Sequence, residues 1–244
     1  MHARLYHILF GLVVVSGCSR QPCTSPHWFG YGYEVVQIGD QCWFAENLRS
    51  EYYRNGDEIV YEQEDQEWKK ANAGRRCSYA HDENKSAFFG QLYNGYTVLD
   101  ERGLCPWGWH VPKDEEWTDL VAFLSEGAVD IEAEGWNGLA DWEVGQMLKS
   151  TCCWMPEDLS DVPGLSAQDA YGFRALPAGE RGFGGFFSKA GNYGSGKWWT
   201  ASTIAYEPAR QNEIRYRFID FRDSELHQAS AMMTRGLSVR CVED

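Results

Sequence analysis

Cys105-Pro106-Trp107-Gly108-Trp109-His110-Val111-Pro112, followed at once by Lys113-Asp114-Glu115-Glu116-Trp117, is the stretch from which the fold can be read. The Cys-Pro-x-Gly segment forms a turn, and three tryptophans and a helix start follow within a few residues, so a loop, a strand end and a helix must lock together here. Beyond it, Trp117, Leu120, Val121 and Leu124 fall at i, i+3, i+4 and i+7 and predict one apolar helix face ending before Gly127. Asp114, Glu115 and Glu116 occupy the first turn of that helix, where negative charge favours the dipole.

The chain around it has 244 residues, 43% hydrophobic, 15% aromatic and 24% charged, with 25 glycines and 11 tryptophans. That is the composition of a folded globular protein, rich in short strands and tight turns around aromatic anchors. A formal charge of -14 removes the phosphate attraction behind nucleic-acid affinity, so nucleic acid is excluded as the leading partner.

Residues 1–17 read as a secretory signal: Arg4, then the apolar run from Ile8 to Val15 and small residues before Cys18. Val15-Ser16-Gly17-Cys18 resembles the lipobox of bacterial lipoproteins, which implies lipidation of Cys18 and a membrane anchor that does not span. By resemblance to lipoprotein sorting rules, Ser19 implies the outer membrane and a place at the cell surface. Residues 18–32, punctuated by Pro22, Pro26, Gly30 and Gly32, read as a tether. An oxidising envelope permits disulfides among Cys23, Cys42, Cys77, Cys105, Cys152, Cys153 and Cys241, an odd set that leaves one thiol over. None shows C-x-x-C spacing, and adjacent Cys152 and Cys153 can bond to each other only with strain.

Residues 33–38 and 41–45 alternate around a Gly39-Asp40 turn and predict a hairpin, with Trp43 facing a core. The charged stretch 49–72 reads as a solvated excursion, with an ion-binding loop as the alternative. A shorter helix is expected over 142–149 and a long loop over 150–168. Strands are then expected at 171–176, 178–181, 197–202, 213–221, 226–232 and 237–242. In the last, Leu237, Val239 and Cys241 share one face while Ser238 and Arg240 take the other.

Seven collinear motifs carry a family resemblance over residues 33–244. They are 38–48 (Ile-Gly-Asp-Gln-Cys-Trp-Phe-Ala-Glu-Asn-Leu), 89–94 (Phe-Gly-Gln-Leu-Tyr-Asn), the Cys105 to Trp117 stretch, 148–150, 172–181 (Gly-Phe-Arg-Ala-Leu-Pro-Ala-Gly-Glu-Arg), 198–202 (Trp-Trp-Thr-Ala-Ser) and 236–242. The chain resembles the Fibrobacter succinogenes major paralogous domain of exported bacterial proteins. The resemblance implies an α+β fold, a divergent C-type-lectin-like domain with two short helices, small antiparallel sheets and long loops. It further implies a Cys105–Cys241 disulfide, with Cys42–Cys77 as a second pairing. Where family members often carry Ser or Thr, this chain has Lys113, so the capping box with Glu116 is expected to be missing and Asp114 to cap instead.

No nucleophile motif surrounds His27, His81, His110 or His227, and no phosphate loop or zinc-protease motif occurs. His110 reads as a buried structural histidine, and Gly182 to Phe186 as a flexible turn with aromatic flanks. Asp158, Asp161 and Asp169 supply oxygen ligands that suit calcium, but not at EF-hand spacing. Trp154, with those three aspartates, makes the ligand-loop candidate set, and Phe183, Phe186, Phe187 and Tyr193 offer further rings. The expectation is a non-enzymatic surface lipoprotein that binds protein or glycan or joins an assembly, without cofactor unless a structural calcium is held. A structural envelope subunit, or an oxidase related to formylglycine-generating enzymes using Cys152 and Cys153, are the alternatives.

Overall fold

The computed structural model describes residues 22–125, 144–155, 167–204 and 212–244. In chain order the elements are β1 (His27–Trp28), β2 (Tyr31–Gly32), β3 (Val35–Ile38), β4 (Gln41–Phe44), α1 (Asp65–Lys70), β5 (Arg76–Cys77), α2 (Glu83–Phe89), β6 (Leu92–Asn94) and α3 (Gly95–Val98). They continue with β7 (Trp109–His110), α4 (Asp114–Leu124), α5 (Val144–Leu148), β8 (Ser195–Thr203), β9 (Glu213–Asp220), β10 (His227–Met232), β11 (Gly236–Leu237) and β12 (Val242–Glu243). The fold is α+β, with several small antiparallel sheets: β3-β4-β12-β7, β10-β9-β8, β11-β6-β5 and the β1-β2 hairpin.

The opening stretch performs the locking its composition demands. Gly108 takes φ +79° in the turn, the Trp109 amide donates to Pro106 O at 3.1 Å, and β7 pairs with β12 through Val242↔His110 and Glu243↔Trp109. Cys105 is bonded to Cys241, so this turn is tied covalently to the end of the chain. On the other side β12 pairs with β4 through Val242↔Trp43, which places the last strand between the first hairpin and β7. Trp109 and Trp117 are buried, whereas Trp107 is 74% exposed and lies beneath the Arg54 guanidinium at 5.0 Å.

Period-2 alternation sorts side chains into two cores. Cys42, Phe44, Trp199, Ile214, Tyr216 and Cys241 enter one; Trp43, Trp198, Ile219 and Val242 enter the other together with Trp117, Leu120, Val121 and Leu124 of α4. Adjacent Trp198 and Trp199 therefore anchor opposite faces of β8, each with its ring N–H satisfied, by Asn47 Oδ1 at 2.8 Å and Tyr93 O at 2.8 Å. In the second core Trp43, Trp117, Phe173 and Trp198 contact one another, with ring centroids between 4.7 and 6.4 Å apart.

Several expectations are corrected. Cys42 is bonded to Cys23, not to Cys77, which is a free, buried thiol pushed up to about 12 by desolvation. Cys77 sits in β5 beside β6, packed with Trp68 and Leu92 in a separate small cluster and not against Cys42 in β4. That bridge, the β1-β2 hairpin and the Tyr33 amide donating to Pro26 O at 3.1 Å make residues 22–32 part of the folded unit rather than a loose tether. The charged 49–72 excursion is anchored by Tyr53, Ile59 and Trp68, all buried, and contains α1. No strand forms over 171–176 or 178–181; Ala175 and Arg181 make isolated bridges only. The 237–242 strand is split into β11 and β12, and both of its faces are buried, Arg240 included.

Arg240 shows how a charge is held there. Its Nε donates to Asn47 Oδ1 at 3.2 Å, Nη1 to Phe44 O at 3.1 Å and to Phe173 O, and Nη2 to Arg174 O at 2.8 Å. The guanidinium lies 4.0 Å over Phe173 and 5.8 Å from the Trp198 ring. Carbonyls and π faces replace a carboxylate, and desolvation lowers the guanidinium to about 9. Asn47 receives Trp198 and Arg240 on its oxygen while donating to Phe89 O at 2.8 Å and Ser238 Oγ at 3.3 Å, so it joins four motif segments.

Candidate functional site

The N-terminal turn of α4 meets β8, β9 and β10 at a polar junction. Residues 215, 217 and 219 of β9 share the face turned to α4; Ile219 enters the core beside the helix, and Arg217 donates through Nε to Asp114 Oδ1 at 2.7 Å. Gln228 of β10 donates to the other oxygen of Asp114, and Arg215 Nη1 lies 4.0 Å from it. Asp114 and Arg217 are buried, so this charge pair fixes the helix end against the sheet. Arg217 Nη2 also donates to Thr118 Oγ1 at 3.0 Å, and the Asp114 amide donates to Ser202 Oγ at 2.9 Å. Asp114 is therefore an ion-pair anchor and not the helix cap.

The cap comes from elsewhere. Glu116 accepts the Lys113 amide at 2.8 Å, the return half of a capping box, while Lys113, which has no acceptor, makes no side-chain cap bond. Glu116 also faces His110, whose Nε2 is 2.8 Å from Oε1 and whose Nδ1 is 2.7 Å from Asp244 Oδ1. His110 is half-buried, not enclosed, and the hydrogen bonds to Glu116 and Asp244 raise its ring above the ordinary histidine value despite desolvation. Burial alone would raise the Glu116 carboxyl, but the bonds from His110 and the Lys113 amide hold it below its usual value.

Beside the Asp114–Arg217 pair an open cleft of about 700 Å³ runs between helix and sheet. Lys113, just before α4, with Glu115 and Asp119 of α4, lines one wall, and Ser202, Thr203 and Arg215 of β8 and β9 line the other. Both signs of charge and two hydroxyls converge on a rigid floor, a set suited to hydrogen-bonding a polar ligand. Sequence reasoning missed this site. The one available signal was the alternation Arg215, Arg217 on a strand opposite a helix start rich in carboxylates; the dipole explanation of Asp114 concealed it.

The sequence-derived candidates fall elsewhere. Trp154 is 2% exposed, donates through Nε1 to Ala175 O at 3.0 Å and lies against Lys149 Nζ at 5.1 Å, so it belongs to the core and offers no free face. Burial lowers that Lys149 ammonium to about 8. Asp169 adopts φ +44° and accepts the Arg174 amide at 2.7 Å, closing a turn. Cys18, Asp158 and Asp161 lie outside the described residues. Among the described residues the potential metal-ligand group is Cys23, Cys42 and Glu243, whose two sulfurs are bonded to each other. Phe183 and Phe186 are 51% and 78% exposed on a turn closed by the Gly182 amide donating to Phe186 O at 2.7 Å. Arg181 beneath it is buried and donates to Gly185 O, Glu62 O, Gln63 O and Asp65. The expected flexible turn is thus a pinned one.

No curated protein and no solved structure matches the chain. The family described as the Fibrobacter succinogenes major domain matches residues 36–243, which take in the second core, nearly all of the first, the locked turn and the cleft, and the chain belongs to that family.

Proposed function

We propose that this protein is a non-enzymatic binding or assembly module, a divergent lectin-like domain displayed on the outer membrane by a lipid at Cys18, which takes a protein or glycan partner in the cleft between α4 and β8–β9. The observation that carries the reading is the cleft itself: Lys113, Glu115, Asp119, Ser202, Thr203 and Arg215 around a floor fixed by the buried Asp114–Arg217 pair. Such a floor pre-organises donors and acceptors, which reduces the ordering cost of binding. His110 and His227 support a role without catalysis: each is held by two carboxylates, and among the described residues neither bonds to a Ser, Thr or Cys.

The test uses the full chain carrying Cys18→Ser, which removes the anchor, on a glycan array and in crosslinking pull-downs from envelope fractions. A retained partner whose affinity falls at least about tenfold with Arg215→Glu supports the reading. A partner bound equally by both variants moves the site away from the cleft; absence of any partner removes the binding role.

A further inference from the structure

Cys152 and Cys153, adjacent in sequence, are bonded to each other, and they stand apart from the other two bridges. Cys105 and Cys241 are wholly buried and Cys42 is 2% exposed, whereas Cys152 is exposed and Cys153 half-exposed. Thiol–disulfide exchange needs a thiolate to reach a sulfur; Cys23, like Cys153, is only partly buried, and Cys152 is the one exposed cysteine among the described bridges. The backbone adds a second distinction. Cys153 sits at φ +78°, a conformation that a residue with a Cβ rarely adopts.

The surrounding segment is held independently of the sulfur bond. Ser150 Oγ donates to Cys152 O at 2.9 Å, the Tyr193 amide donates to Trp154 O at 3.0 Å, and the Asn192 side chain, with its amide turned so that the nitrogen faces both carbonyls, donates to Cys153 O at 3.2 Å and Met155 O at 3.3 Å. Successive carbonyls from 152 to 155 are therefore tethered to neighbours, and the two thiols stay side by side once the ring has opened. We propose that Cys152–Cys153 is a reversible exchange site for external thiols on the surface of the folded domain.

The steps balance as ordinary exchange. An external thiolate attacks Sγ of Cys152; a new S–S bond forms there, the Cys152–Cys153 bond breaks, and its electron pair leaves on Sγ of Cys153, which takes up a proton. A second external thiolate attacks the external sulfur of the mixed disulfide and releases Cys152 as a thiolate. Two external thiols are oxidised to one disulfide and the cystine is reduced to two thiols. Oxidised glutathione runs the same steps backwards.

Full-length folded protein treated with dithiothreitol, pulsed with a maleimide and mapped by peptide mass tests the site. Cys152 and Cys153 are expected to label at least about tenfold faster than Cys105 and Cys241, and to lose their label sites again when oxidised glutathione replaces the reductant. Cys77, buried, serves as the unlabelled reference for an intact fold. Cys153→Ser is expected to give a Cys152 that labels without reductant. Three results each overturn the proposal: Cys152 and Cys153 labelling fully before reductant is added, labelling only in step with Cys105 and Cys241, or no return to the disulfide with oxidised glutathione.

Discussion

Removing the Cys105–Cys241 bridge is expected to cost more than removing Cys23–Cys42, and the difference can be calculated from the chain. The first closes a sequence separation of 136 and the second one of 19, and the two loops do not overlap. The chain-entropy relation gives about 5 kcal/mol for the long loop and about 3 kcal/mol for the short one, a gap of about 2 kcal/mol. Packing widens it, because Cys105 and Cys241 are both fully buried in the first core, whereas Cys23 is only partly buried at its edge. The comparison calls for two double variants, Cys105→Ala with Cys241→Ala and Cys23→Ala with Cys42→Ala, which introduce no new thiol. Urea unfolding without reductant, extrapolated to water, reads each loss. With a slope of about 2.5 kcal/mol/M, the first variant's midpoint falls by about 2 M and the second's by about 1 M. A first variant no less stable than the second would refute the claim that the locked turn and the final strand are held together chiefly by that bridge.

Arg240→Met removes the guanidinium but leaves Phe44 O, Phe173 O and Arg174 O facing the core; the expected loss is about 3 to 5 kcal/mol by urea unfolding, and a neutral outcome would show that the carbonyls find other donors. Gly90→Ala places a Cβ 2.6 Å from that of Asn47 at φ +79°, so about 3 kcal/mol should be lost, and an unchanged midpoint would mean that the Asn47 junction can shift. His110 and His227 have folded values raised by Glu116 and Asp223 respectively, so their stabilisation is complete below the unfolded value of about 6.5 and is lost as pH rises through the folded one. The melting temperature should therefore fall as pH rises above about 6.5, and less steeply in the His110→Gln, His227→Gln double variant; an unchanged slope refutes the pairing. His81, lowered by burial, acts with opposite sign but only below about pH 6.5.

Much of the fold is legible because local signals agree. The stripe Trp117, Leu120, Val121, Leu124 and the alternation of residues 197–202 and 213–221 each correspond to an observed element, and the turn at Gly108 lies where the sequence marks it. What could not be read depends on distance in sequence. Cys23 shows nothing of its pairing with Cys42, and punctuation by proline and glycine makes a structured hairpin look like a tether. Arg240 alternates with buried residues and so resembles a surface position, until the carbonyls of residues 44, 173 and 174 converge on it. The cleft was illegible for the same reason. Asp114 satisfies a local rule at a helix start, and only the approach of β9 from a hundred residues away turns it into the anchor of a polar junction.

The burial of Cys77 has a consequence for how the protein tolerates heat. Inside the fold its thiol is shielded and almost wholly protonated, so it does not attack the chain's cystines. Unfolding returns it to an ordinary acidity and to contact with every bridge in the chain, where it becomes a nucleophile able to shuffle them. Heating at alkaline pH should thus damage this protein irreversibly, through mispaired sulfurs rather than clumping alone. Replacing that single atom of sulfur by the oxygen of serine would spare the refolded product from scrambling.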